Sequence, residues 1–273
     1  MKKVILLLLT ILVFLSGCGR TDSSGEGTLV VGLEAAYAPF NWMETEATET
    51  NYPLDGMNSY VEGYDVQIAK LLAEELDLEL VIKMVDWEGL VISLQTGMID
   101  VIIAGMSPTP YRLQQISFTD PYFESDHVVL VKKDGPFSNA TDINDFSGAK
   151  IIGQKGTIYD TLAEQLAEGN SNSTYQNPLQ SVPEIVNAIK TGVSDVTIVE
   201  SPVAISIVNN NDDLMYIELE TAFDVDDEDT IVSIGVRKDD NDLLESLNNA
   251  LANISLETRE QLMFNASTTS PEA

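Results

Sequence analysis

The sequence predicts an α/β fold, on three observations. Short apolar runs without a polar break, residues 101–104 and 128–131, read as strands buried on both faces. Segments between such runs carry apolar residues on one helical face, as Ile68, Leu71, Leu72 and Leu76 do. The 273 residues suffice for a two-lobed protein or two modest domains.

In chain order, residues 1–17 read as a lipoprotein signal peptide: Lys2-Lys3, an apolar run over 4–15, then Leu15-Ser16-Gly17-Cys18, which resembles a lipobox. Cys18 would take diacylglycerol on its sulfur and become the new N-terminus. No later apolar run is long enough to cross a bilayer, so attachment to the outer face of the cell membrane is expected through the lipid at Cys18. Residues 18–27, rich in Ser and Gly, read as a flexible tether. Residues 28–33 are the first strand. Residues 44–62 hold Pro53, Gly56 and four Glu and predict a hairpin or an irregular excursion. Asp65 is expected to cap the helix with the Ile68 face, and 78–85 is a strand. Asp86 to Leu90 leads into a helix through Gln95 that stops at Gly97.

Gly105 ends the buried run at 101–104. Thr109 is placed to cap a short helix with Pro110 at its first position, where the missing N–H is harmless. Arg112 on that helix lies just past the strand's carboxyl end, where open α/β sheets bind ligands. A rigid guanidinium there, beside the Ser107 hydroxyl, is a fork for a carboxylate. Residues 124–126 predict a hinge strand, followed by the apolar run with His127 at its start. Residues 149–153 are a strand. Thr157 with Asp160 resembles a capping box for a helix through Leu162 and Leu166, whose N-terminus is a ready anion site. A helix over 182–190 stops near Gly192, and 195–199 is a buried strand. Residues 230–236 return as a strand, 242–254 form a closing helix, and 267–273 are expected to fray.

Composition narrows the function. Fourteen basic against 44 acidic residues give a formal charge of −30; losing Lys2 and Lys3 with the signal would leave 12 against 44, near −32. Phosphate binding needs clustered Lys and Arg, so nucleic acid is not an expected partner. With 44% hydrophobic residues the chain is no disordered acidic tract. One cysteine excludes a disulfide within the chain and a Cys-based metal site. His127, the only histidine, builds no zinc site without further ligands in pattern and is read as structural. The run 224–229 lacks the glycine and terminal Glu of a calcium loop and reads as solvated. No Gly-x-Ser-x-Gly elbow occurs, and no metal or cofactor is expected.

The segment Ala104-Gly105-Met106-Ser107-Pro108-Thr109, then Arg112, then Phe118-Thr119-Asp120-Pro121-Tyr122, resembles the signature of the extracellular solute-binding proteins, family 3, of polar amino-acid ABC transporters. The resemblance runs from about residue 28 to 264. It implies a two-lobed periplasmic-binding-protein type II fold, each lobe a mixed sheet flanked by helices, joined by a two-strand hinge. Lobe 1 would comprise 28–124 and 230–266, and lobe 2 residues 125–229.

The resemblance also implies roles. Arg112 and the helix start at Thr157–Ile158 would hold a ligand's α-carboxylate. Glu200, where the family usually has Asp, would hold the α-ammonium, with a backbone carbonyl near Ala104 and with Ser107 in the turn through Gly105 and Met106. Ile158 stands where the family often has a small polar residue, leaving only the backbone N–H. Tyr37, Trp87 and Glu34 would read the ligand's side chain, within reach of Gln154. Two rings beside Glu34 suit a cation, so arginine or lysine is expected ahead of glutamine. The implied protein is a monomeric substrate-binding component of an amino-acid importer that delivers a free L-amino acid to a membrane permease. Two alternatives stay open: a cyclohexadienyl dehydratase-like enzyme with Glu200 as general acid, and a ligand-sensing lipoprotein.

Overall fold

The computed structural model describes residues 27–221 and 223–271. The expected signal peptide and the lipid-bearing Cys18 lie outside the described residues. The first strand, β1 (Thr28–Leu33), is followed by short strands β2 (Ala36–Tyr37), β3 (Asn41–Glu44), β4 (Tyr52–Pro53) and β5 (Tyr60–Glu62). Next come α1 (Tyr64–Glu75), β6 (Glu79–Met84), α2 (Leu90–Gln95), β7 (Val101–Ile102), α3 (Pro110–Leu113) and β8 (Ser117–Glu124). The second lobe supplies β9 (His127–Lys132), β10 (Lys150–Ile151), α4 (Ile158–Gly169), β11 (Thr174–Tyr175), α5 (Val182–Thr191), β12 (Val196–Glu200), α6 (Ser201–Asn210) and β13 (Leu214–Ile217). Strand β14 (Ile231–Val236) returns, and α7 (Asn241–Asn253) and α8 (Leu256–Thr269) close the chain.

Each lobe has a five-stranded mixed sheet. The first runs β6-β1-β7-β14-β8, with β1 parallel to β6 and β7, and β14 antiparallel to β7 and β8. The second runs β11-β10-β12-β9-β13, parallel at β10 and antiparallel along β9. The chain crosses between lobes beside itself: Ile231 pairs with Glu124, and the Ser125 N–H donates to the Thr230 carbonyl at 2.9 Å. The excursion at 44–62 is ordered as a small sheet, β2-β3-β5-β4. Strand β9 explains its apolar run by two-fold alternation. Val128 and Leu130 join a core continuous with the first lobe, while Val129 and Val131 join a separate core with Phe146, Leu162 and Ile198.

Five local expectations are corrected. Asp65 does not cap α1. Gly63 does, at φ +125, where a Cβ would lie 2.4 Å from the Phe40 carbonyl oxygen. Asp65 sits in the helix's first turn, fully buried, accepting from the Tyr122 hydroxyl (2.6 Å) and Asn41 Nδ2 (2.8 Å). The hinge strand is not confined to 124–126: β8 spans eight residues and ends at Glu124, because its whole length pairs with β14. The strand expected over 149–153 is regular only at Lys150–Ile151, although the Ala149 carbonyl still accepts from the Thr174 N–H (2.8 Å) and the Ile152 N–H still donates to the Val196 carbonyl (3.0 Å). The Thr157/Asp160 capping box does not form. The Thr157 hydroxyl donates to the Gln154 carbonyl (2.7 Å), and Asp160 accepts from the Tyr175 hydroxyl (2.6 Å). Finally, residues 267–271 do not fray. Helix α8 reaches Thr269, the Ser270 and Ser206 hydroxyls bond at 2.6 Å, and Asn210 donates to the Ser270 carbonyl at 3.0 Å, tying the C-terminus to α6.

Candidate functional site

A small cavity of about 10 Å³, room for about one water, lies between the closed lobes. On the first lobe it is bounded by the ends of β1 and β7, where Glu34 and the turn after Ile102 emerge. Gly105 is required in that turn: its φ is +59, and a Cβ would sit 2.9 Å from the Tyr37 ring. Its N–H donates to the Tyr122 hydroxyl (3.0 Å), which donates in turn to Asp65. Burial pushes Asp65 up to about 6, against the opposing pull of those donors.

Arg112 is buried on α3. The Thr109 hydroxyl caps that helix by accepting the Arg112 N–H (3.4 Å), with Pro110 at its first position. Its guanidinium donates to the Ser107 carbonyl (2.8 Å) and, across the cleft, to the Gly156 carbonyl (3.2 Å). It also lies 5.0 Å over the Trp87 ring. Burial lowers its pKa to about 10, so it stays a cation at neutral pH. Trp87, expected only as a wall for a ligand side chain, thus also orients Arg112, and its Nε1 donates to the same Gly156 carbonyl (3.1 Å).

On the second lobe, Gln154, Thr157 and Ile158 face the cavity at the start of α4, whose N-cap side chain, Thr157, accepts no N–H of the helix. Gln154 Nε2 donates to both Glu34 oxygens (3.4 and 3.2 Å) and to the Gln180 carbonyl. Burial pushes Glu34 up to about 7, partly offset by the Gln154 bond. Glu200 ends β12 and is the N-cap residue of α6. One carboxylate oxygen, Oε1, accepts from the Tyr159 hydroxyl (2.5 Å) and the Tyr37 hydroxyl (3.1 Å); the other, Oε2, is buried without a protein partner. Burial pushes Glu200 up to about 7 as well, with the two hydroxyls pulling it down.

The sequence-predicted residues Glu34, Tyr37, Trp87, Gly105, Ser107, Arg112, Gln154, Thr157 and Ile158 thus line one cavity. Glu200 lies behind it, joined through Tyr37 and Tyr159. Ala104 and Met106 are buried in the turn and do not line it; the Met106 carbonyl accepts from the Ser233 N–H (3.0 Å). Sequence reasoning missed Tyr159, although it is the second residue of the helix whose start was singled out. It also missed Asn41, Asp65 and Tyr122, whose bonds converge from three separate segments. His127 is half-buried, its ring edge-on to Tyr159 at 5.6 Å. Among the described residues no cluster of side chains could hold a metal, and no helix is long and apolar enough to cross a membrane.

The arrangement suits a small zwitterion: a guanidinium and a helix N-terminus for an anion, an unpaired carboxylate oxygen for a cation. The arginine-binding extracellular protein ArtP of Bacillus subtilis (strain 168) is 30% identical over 256 residues, covering 92% of each chain. The substrate-binding protein AbpA of an amino-acid ABC transporter from Streptococcus pneumoniae, solved bound to L-arginine, superposes with a TM-score of 0.75 at 27% identity, covering 91% of this chain and 98% of that one. The ancestral amino-acid-binding protein AncCDT-1, a precursor of cyclohexadienyl dehydratase, superposes with a TM-score of 0.71 at 26% identity, covering 88% and 95%. The bacterial extracellular solute-binding proteins, family 3, match residues 29–263, and with the two-lobed fold in hand the chain belongs to that family.

Proposed function

We propose that the chain is the extracytoplasmic substrate-binding component of an amino-acid ABC importer, taking L-arginine or L-lysine ahead of L-glutamine and handing it to a membrane permease from a lipid anchor at Cys18. One observation carries the reading. Arg112 and the start of α4 face a cavity whose buried neighbour, Glu200, has a carboxylate oxygen without a protein partner. A ligand's α-carboxylate replaces the Gly156 carbonyl on Arg112, and its α-ammonium meets Glu200. Glu34, buried at 6% exposure, supports a cationic side chain: a ligand cation beside it offsets the desolvation that now favours its neutral form. The names of ArtP and AbpA's bound ligand support the same choice. Micromolar to nanomolar binding corresponds to about −8 to −12 kcal/mol.

Calorimetric titration of ligand-stripped protein with L-arginine, L-lysine and L-glutamine tests this. The expected order is cationic amino acids tighter than glutamine; glutamine tighter than both would discard the cationic pocket and keep the clamp. A second reading, acid catalysis on a prephenate-like substrate, is favoured by Glu200 being poised near neutrality beside two hydroxyls. Turnover of prephenate or arogenate by the purified protein would establish it; binding without turnover is the expected result.

A further inference from the structure

We propose that Tyr37 and Tyr159 are positioning residues that act through Glu200, a role that rests on the amino-acid clamp proposed above. Their hydroxyls reach the carboxylate from opposite lobes and fix one oxygen, leaving the other for the ligand's α-ammonium. The Tyr37 bond completes that ammonium site only when the lobes are closed.

The geometry separates the two bonds by what they survive. Tyr159 on α4 and Glu200 on β12 belong to the same lobe, so their 2.5 Å bond persists when the lobes part. Tyr37 on β2 belongs to the other lobe, and its 3.1 Å bond exists only across a closed cleft. Both donors choose Oε1, while Oε2 is left buried and unpaired. A carboxylate held by two donors presents its remaining oxygen in a fixed direction. Each ring is itself fixed. Tyr37 stacks on Phe40 at 5.3 Å and 7°, under the Cβ-less Gly105, and Tyr159 meets the His127 ring edge-on. A Glu200→Asp side chain, one methylene shorter, is expected to give up the longer of the two bonds, the one of 3.1 Å to Tyr37.

Other titratable groups surround Glu200. Asp65 on α1 bears on it electrostatically, and His127 lies opposite it in the β9–β12 register beside Asp126. Arg112 and Glu34 line the adjoining cavity. All of them are unchanged by a Tyr→Phe substitution, so a difference between wild type and variant reports the hydroxyl.

The test is calorimetric titration of the full mature chain with L-arginine and with its deaminated analogue 5-guanidinopentanoate, from pH 5.5 to 8.5, for wild type, Tyr37→Phe and Tyr159→Phe. Each variant is expected to bind L-arginine about tenfold to a hundredfold more weakly, the range for a hydrogen bond to a charged group. Its loss of arginine affinity on acidification should move to higher pH, because an ionised Glu200 has lost a donor. Affinity for 5-guanidinopentanoate should change little, which also certifies that the variants fold. Glu200→Asp should mimic Tyr37→Phe, and adding Tyr37→Phe to it should cost nothing more. Variants with wild-type arginine affinity and pH profile would overturn the proposal, as would equal losses for arginine and the deaminated analogue. Wild-type protein that binds no amino acid would instead overturn the clamp, and this role with it.

Discussion

Arg112 donates to the Ser107 carbonyl within its lobe and to the Gly156 carbonyl across the cleft, and in the proposed clamp a ligand carboxylate replaces the second. Arg112→Ala removes the fork and leaves a desolvated carboxylate unpaired, so L-arginine and L-glutamine alike should lose about a hundredfold or more in calorimetric affinity. Glu34 predicts a selective effect instead. Glu34→Gln keeps size and one acceptor oxygen for Gln154 but removes charge, so L-arginine should weaken by roughly tenfold while L-glutamine changes little. Equal losses would mean that Glu34 does not read charge. Glu34 and Arg112 were legible in sequence because each stands at a strand's carboxyl end, in a turn whose chemistry is local. Tyr159 was not, because its value comes from Glu200, 41 residues away.

At the scale of elements, signals that close within a turn read correctly from sequence. Thr109 and Pro110 start α3, and Gly192, at φ +76, ends α5. Signals that depend on distant partners misled. Asp65 looks like a cap, yet its carboxylate is claimed by Tyr122, 57 residues on, and the capping falls to Gly63. Residues 267–271 have a tail's composition, but α6, 64 residues upstream, supplies the Ser206 hydroxyl and the Asn210 amide that hold them. The capping box of α5, Ser181 with Glu184, is not among the sequence expectations. Ser181→Ala should cost about 1 kcal/mol, read as a lower denaturant midpoint at unchanged slope. An unchanged midpoint would mean that α5, which lies against β2 of the other lobe, is held by packing alone.

For the whole molecule, buried carboxylates set a pH dependence with two opposite signs. Glu34 and Glu200 are raised from the ordinary 4.5 to about 7, and Asp65 to about 6. Between pH 4.5 and 7 the folded ligand-free protein binds more protons than the unfolded chain, so stability falls as pH rises and the loss is complete above 7. Ligand-free protein should therefore melt several degrees lower at pH 8 than at pH 5.5, and Glu34→Gln with Glu200→Gln should flatten that slope. Affinity for L-arginine should move the other way, rising with pH as the two glutamates ionise toward a cationic ligand. The net charge of −30 adds surface repulsion at high pH but no specificity, since exposed charges are screened within about 10 Å at 0.1 M salt.

In the proposed clamp both ends of a zwitterion are held, the carboxylate by Arg112 with the start of α4 and the ammonium by Glu200. Thermal melting of ligand-stripped protein with L-arginine, with agmatine (no carboxylate) and with 5-guanidinopentanoate (no α-ammonium), at equal concentrations, tests it most directly. At about 1,000 times its Kd, L-arginine should stabilise the fold by roughly 4 kcal/mol, a shift of several degrees. Each truncated analogue should shift the midpoint far less. Agmatine or 5-guanidinopentanoate matching L-arginine would contradict the two-ended clamp, and so would the absence of a shift with L-arginine, L-lysine and L-glutamine alike.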